Sequence, residues 1–183
     1  MSRKGAAALG SAVFLVIAPG LVAGVAPWWM GGWRMQAPFF GIRLFRAAGA
    51  VLIAMGAIGL LDSFRRFAVE GLGTPAPVFP TQHLVASGLY RYVRNPMYAA
   101  VTSTILGQGL LLGNAALLEY GGAVWVAMHV FVLSYEEPRL RRSFGAEYEE
   151  FCREVPRWIP RLRAWRGGTK GPRQEHSTPG VID

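Results

Sequence analysis

Long uncharged runs, separated by short basic or aromatic patches, set the pattern of this chain. No charged residue occurs from Gly5 to Gly32, and none from Asn95 to Leu118. About 20 apolar residues suffice for a helix to cross a bilayer. Four spans are predicted, at about residues 6–26, 44–61, 96–112 and 115–135. The first contains Pro19-Gly20, where a kink is expected. Its MSRKG start is also compatible with a signal peptide, but the uncharged run is long for one, and a retained helix is expected. Trp28, Trp29 and Trp33 follow as an aromatic belt at the far interface. The uncharged core of the second span, Ala47 to Leu61, is short, so Arg43 and Arg46 should snorkel outward. A tight turn at Gly113-Asn114 joins the third span to the fourth. Small residues (Gly49, Gly56, Gly59, Ser103, Gly107, Gly121, Gly122) are expected where helices touch.

Outside the spans the pattern changes. Glu70 to Pro80 is too rich in Pro and Gly for a helix. After the fourth span, Pro138 is expected to restart the chain as a surface helix over 138–155. Leu140, Phe144, Tyr148, Phe151 and Val155 recur on one face of it. Such an amphipathic helix lies on the cytoplasmic interface or over the bundle. The polar segment 167–183 reads as a disordered tail. The fold class is therefore all-α: a multi-pass membrane helical bundle of about four transmembrane helices with a C-terminal cytoplasmic amphipathic helix, one domain over 1–166.

Composition agrees, with 52% hydrophobic and only 16% charged residues. A net charge of +8 invites a nucleic-acid partner, but the basic residues cluster at the ends of apolar runs, as membrane topology demands. With four spans, Arg3, Lys4, Arg65, Arg66, Arg91, Arg94 and the ten basic residues from Arg139 to Arg173 share one side, sixteen in all; Arg34, Arg43 and Arg46 hold the other. Positive residues stay inside, so both termini are expected in the cytoplasm. The single cysteine, Cys152, allows no intrachain disulfide. No phosphate-binding glycine loop, nucleophile elbow or metal-spaced Cys/His set occurs, and no metal is expected.

Candidate chemistry gathers at one boundary. In LVASGLYRYVRNPMY, Leu84 to Tyr98, Asn95 is a good N-cap and Pro96 suits the first helical position. The helix start carries unpaired N–H groups and a positive dipole end, where an anionic group of a soluble ligand could rest beside Arg94, Tyr90 and Tyr92. Glu136-Glu137 closes the fourth span, and the Gly113-Asn114 hairpin returns it to the same level. Two carboxylates then face an arginine, an amide and two tyrosines. The alternative is plain interfacial ion pairing. His129, inside the fourth span on one face with Val132 and Glu136, is either functional or bonded to a neighbouring helix.

With YEEPRLRRSFGAEYEEFCREVPRWIP one hairpin later, the stretch resembles the integral membrane methyltransferases that use S-adenosylmethionine: the isoprenylcysteine carboxyl methyltransferase and phospholipid (phosphatidylethanolamine) N-methyltransferase families. The resemblance covers about Gln82 to Pro160. NPMY and YEEP are closest to the phospholipid enzymes; the lead-in and the FG-x-EY tail resemble the isoprenylcysteine ones. The resemblance implies a cofactor pocket of Leu84, Val85, Tyr90, Asn95, Pro96, Met97, Tyr98 and Glu136. A histidine usual two positions before the Leu-Val pair is Gln82 here, with His83 displaced by one, so either could meet the cofactor. Asn95 replaces the histidine of an Arg-His-Pro triplet and cannot carry a proton. Val132 replaces a substrate-contacting arginine, which disfavours an isoprenylcysteine carboxylate.

Methyl transfer from a sulfonium needs alignment and exclusion of water rather than a protein nucleophile. In that reading Arg94 holds the methionine carboxylate with the helix start, Glu136 holds the amino or ribose hydroxyl groups, and Glu137 orients the acceptor or takes its proton. The partner is a lipid or lipophilic methyl acceptor, an amine or other uncharged heteroatom, in the membrane. Membrane sterol-type reductases with an Asn/Ser-Pro-x-Tyr motif are a second reading, but they carry a glutamate soon after that tyrosine where this chain has Ala99, Ala100 and Val101. A non-catalytic small membrane protein is the third.

Overall fold

The computed structural model describes residues 17–69 and 84–166. The start of the first predicted span, the Gly/Pro-rich loop, Gln82, His83 and the tail from residue 167 lie outside these. Among the described residues there is no strand. The described residues form five helices: α1 (residues 17–31), α2 (Leu44–Val69), α3 (Pro96–Leu112), α4 (Ala115–Phe144) and α5 (Ala146–Glu154).

Among the described residues two helices are long and apolar enough to cross a membrane: α2 over Leu44–Arg66, with an 18-residue window of mean hydropathy 2.0, and α4 over Ala115–Phe144, with one of 1.6. Only 17% of each apolar window is buried inside the molecule, whereas the core helix of a soluble protein would be mostly covered. Val51, Met55, Ile58 and Leu61 instead point outward from α2. Such a surface suits lipid. α2 runs eight residues past its expected end at Leu61, and Asp62 and Arg66 pair at i,i+4 within this extension.

α2 and α3 meet closely, and the small residues permit it. A Cβ on Gly49 would lie 2.6 Å from the Gly107 carbonyl oxygen, and one on Gly56 would be 2.7 Å from that of Ala100. Gly122 differs: a Cβ there would meet nothing within 4 Å among the described residues, so close packing does not require this glycine. α3 and α4 form the expected hairpin. Gly113 adopts the left-handed conformation (φ 72°) and Asn114 N–H bonds to Gly109 C=O at 2.9 Å.

Two predicted irregularities are placed differently. In α1, Gly20 is helical, and the disturbance comes just after it, as a π turn over Leu21–Val25. In α4, Pro138 does not restart the chain. A second π turn over Val132–Glu136 precedes it, and the helix runs on to Phe144. In both cases a wider i→i−5 bond, Ala26 N–H to Leu21 C=O and Glu137 N–H to Val132 C=O, comes just before a residue that lacks an N–H. The expected single helix over 138–155 is consequently two. It breaks at Gly145, whose φ of 51° ends α4 and opens α5.

The apolar face of that region packs on Leu84 to Tyr90, not on lipid. Val85, Tyr90, Tyr148, Phe151, Val155 and Trp165 form one buried cluster. Phe151 and Val155 are almost wholly enclosed, each worth about 1.5–3 kcal/mol relative to exposure.

Candidate functional site

Beyond α5, residues 155–166 form a strap across the chain that enters α3. Arg94 N–H bonds to Pro156 C=O at 2.9 Å, Arg161 N–H to Tyr92 C=O at 3.0 Å, and Trp165 N–H to Arg91 C=O at 3.0 Å. The Arg91 Nε closes the pair on Trp165 C=O at 2.6 Å. Asn95 stands at the N-cap position, but its side chain makes no capping bond; its Nδ2 donates to Arg157 C=O at 3.2 Å. The expected N-cap amide is thus a tie to the strap.

The two adjacent glutamates meet different surroundings. Glu137 is buried, and its oxygens accept from Arg157 Nε at 2.6 Å, Arg157 Nη2 at 3.0 Å and Arg94 Nη1 at 3.1 Å; Arg141 Nη2 stands 3.8 Å away. Its bond to Glu137 raises the Arg157 pKa above the ordinary guanidinium value. Glu136 accepts instead from the Tyr98 hydroxyl at 2.7 Å, across the hairpin. One π turn therefore turns two neighbouring carboxylates into a fixed ion-pair hub and a group with a neutral phenol partner.

A narrow cavity of about 40 Å³ unites Leu84, Val85, Tyr90, Asn95 and Glu136 with Arg94 and Glu137. Pro96 and Met97 are buried at the start of α3 without lining it, and Tyr98 reaches it through Glu136. Of the two flanking tyrosines, only Tyr90 faces this space; Tyr92 lines a hollow on the other side of its segment. Burial pushes the Tyr90 and Tyr148 hydroxyls above the ordinary phenol range, so both are neutral donors. Arg94 is nine-tenths buried; its Nη1 also donates to Cys152 Sγ at 2.8 Å, and its Nε has no hydrogen-bond partner among the described residues.

Val132 also lines it, and Leu140, Tyr148 and Phe151, which complete the lining, were not among the sequence candidates. Their signal was the apolar face of the C-terminal region, which reads equally well as a membrane contact. Arg157 had no signal, since only the strap brings it to Glu137. His129 is bonded: Trp158 Nε1 donates to its Nδ1 at 2.9 Å, and Trp125 stacks on it at 5.3 Å.

A family model described as phospholipid methyltransferase matches residues 44–147, more than half of the chain. The chain belongs to the phospholipid methyltransferase family. The matched region runs from the start of α2 into α5 and contains the hairpin and both glutamates. Among curated relatives of this family member is the protein-S-isoprenylcysteine O-methyltransferase of Schizosaccharomyces pombe, 36% identical over 78 residues, 42% of this chain and 33% of that protein. The cobalt-zinc-cadmium resistance protein CzcN of Cupriavidus metallidurans is 32% identical over 84 residues, 46% of this chain and 38% of that one. Protein-S-isoprenylcysteine O-methyltransferase B of Arabidopsis thaliana is 30% identical over 78 residues, 42% and 39% respectively. The chain spans little more than a third of the length of the curated relatives it matches.

Proposed function

We propose that this chain is an S-adenosylmethionine-dependent membrane methyltransferase working at the cytoplasmic interface on a lipid or lipophilic acceptor. The observation that carries this reading is the meeting of Glu136, Tyr98, Tyr90 and Asn95 around one cavity at the start of α3. Membership of the phospholipid methyltransferase family and the names of two relatives support it.

The donor set fits the cofactor chemically. Glu136 accepts from an amino or ribose hydroxyl group. Tyr90 and Tyr148 offer neutral donors, and Val85, Leu140 and Phe151 supply apolar walls. The cavity of about 40 Å³ is far below the roughly 300 Å³ and more of a small-molecule site. Binding therefore requires Leu140, Tyr148 and Phe151 to move away from Leu84 and Val85. When bound, the cofactor supplies an electrophilic methyl group on a sulfonium.

The chain's own residues then align the acceptor and keep water out. Glu137 is a positioning residue in this scheme: its oxygens are engaged by Arg94 and Arg157, leaving no free base. Arg94 holds Glu137 as well as flanking the cavity. Glu136, whose described partner is a phenol, is the carboxylate suited to take the proton of an amine acceptor. Val132 is buried and lines the same cavity where a cation would be needed for an anionic acceptor. Arg94, the cation on that cavity, is already engaged by Glu137, so a further carboxylate there would be poorly compensated, and the acceptor is an amine-bearing lipid head group or another neutral lipophilic heteroatom.

The test is tritiated-methyl transfer by the purified protein, offering phosphatidylethanolamine, lipophilic amines and thiols, and a farnesylcysteine analogue side by side. Transfer to the amine or thiol acceptors is expected, with the farnesylcysteine analogue a poor substrate. Methylation of that analogue alone would refute the role given to Val132, and absence of both transfer and cofactor binding would refute the enzyme class. The topology belonging to this reading is four spans with both termini cytoplasmic. Reporter fusions after Trp29 and after Gly168 should report outside and inside respectively; a cytoplasmic Trp29 fusion would overturn it.

A further inference from the structure

The strap over 155–166 has an inner and an outer edge. Its inner edge is fastened to Arg91, Tyr92, Arg94 and Asn95 by the bonds described above. Its outer edge alternates apolar and cationic side chains, and among the described residues nothing is folded against them: Ile159 is 79% and Leu162 98% exposed. Arg163 and Arg166 are exposed and make no hydrogen bond or ion pair among the described residues. A hollow of about 770 Å³ lies here, lined by Tyr92, Glu154, Arg161, Arg163, Trp165 and Arg166. Three guanidinium groups border it against one carboxylate, and Glu154 already faces Arg161 at 3.8 Å.

A lone exposed leucine is ordinary on a soluble surface. Here the apolar edge continues a lipid-facing one. Trp158, next to Ile159, packs against Trp125 of α4 with ring centroids 5.9 Å apart, and Trp125 is itself exposed on the outer face of that long apolar helix. The bond from Arg161 N–H to Tyr92 C=O, just before α3 begins, holds Ile159 and Leu162 at the level where the bundle leaves the hydrocarbon, with the guanidinium groups at head-group level. Guanidinium forks match phosphate oxygens in geometry and charge.

Resting on the reading of this chain as a membrane protein, we propose that the outer edge of the strap docks on anionic phospholipid head groups, with Arg163 and Arg166 on the phosphates and Ile159 and Leu162 among the upper acyl carbons. Because the inner edge holds Arg94, Asn95 and Glu137, lipid composition then bears directly on the order of the site.

The test uses the full chain in phosphatidylcholine bilayers with trace spin-labelled phosphatidylglycerol or phosphatidylcholine, reading motionally restricted lipid by electron paramagnetic resonance. A basic residue near an anionic surface contributes about five-fold in association. The wild type should select phosphatidylglycerol by about five-fold or more at low salt. R163Q/R166Q should fall to within about two-fold of no selection, and R34Q, at the opposite end of the bundle, should match the wild type. Absence of selection in the wild type, its persistence in R163Q/R166Q, or an equal loss in R34Q would each overturn the proposal. No methyl donor is involved, so the result stands apart from that of the transfer assay.

Discussion

The π turns in α1 and α4 are built by the same local rule and serve different ends. Each closes two residues before a proline, at Val25 before Pro27 and at Glu136 before Pro138. In α1 the carbonyls loosened by the wider turn are taken up by neighbouring helices: Gln108 Nε2 donates to Ala23 C=O at 2.7 Å, and the Tyr120 hydroxyl donates to Val22 C=O at 2.9 Å. Gln108 in turn accepts from Trp33 Nε1 at 3.0 Å. That turn is a closed polar seam between helices. In α4 the neighbours bond the side chains of the turn instead, and a cavity opens beside them. A π turn thus marks a place where extra bonding capacity has been created, and the partners decide whether it becomes a joint or a site.

The sharpest way to break the comparison is Glu137→Ala. Removing that carboxylate strands Arg94 and Arg157 around a vacated buried position, and loss of one partner of a buried pair costs about 3–5 kcal/mol. Thermal unfolding in detergent should register a loss of that size; a cost under about 1 kcal/mol would mean that the hub does not hold the strap. Glu136→Ala should leave the fold intact but weaken S-adenosylmethionine binding by about 1.5–3 kcal/mol, roughly 10- to 150-fold. Calorimetry on the folded variant decides this, and an unchanged affinity would remove Glu136 from the cofactor site. Gln108→Leu is the smallest of the three: polar bonds between membrane helices average about 0.6 kcal/mol, and this variant should lose about 0.6–1.7 kcal/mol of stability. Cofactor affinity should not change with it. A fall in affinity matching that of Glu136→Ala would erase the distinction between joint and site.

Much of this arrangement could be read from residue types. Asn95-Pro96 marks a helix start and Gly113-Asn114 marks a hairpin, and together they return Glu136 to the level of Tyr98. Both signals are local, carried by residues with strong backbone preferences. The π turns were not legible, because a proline in an apolar run signals a break and says nothing about a compensating wider turn just before it. The same ambiguity leaves two roles open for Glu137 in the sequence, orienting the acceptor or taking its proton. Neighbours in sequence look equivalent, and only the changed helical phase sends one carboxylate to three arginines and the other to a phenol. The apolar face from Leu140 to Val155 was visible as a period, yet a period does not say what covers it. The strap carries no periodicity at all, and its contacts with Arg91 to Asn95 are tertiary.

That strap also sets an order of events during synthesis. Asn95 bonds to a carbonyl 62 residues further along the chain, and the Arg157 guanidinium that completes the Glu137 hub comes from the same residue. While the ribosome is still translating α4, Arg94 has no Glu137 to meet, and until residue 157 has emerged Glu137 lacks its closest cation. The helices can be threaded into the bilayer by their hydropathy long before that moment. Insertion and assembly of the site are therefore separate in time, and a nascent chain halted before Val155 would be a membrane-embedded bundle in which the entry to α3 had never been fastened.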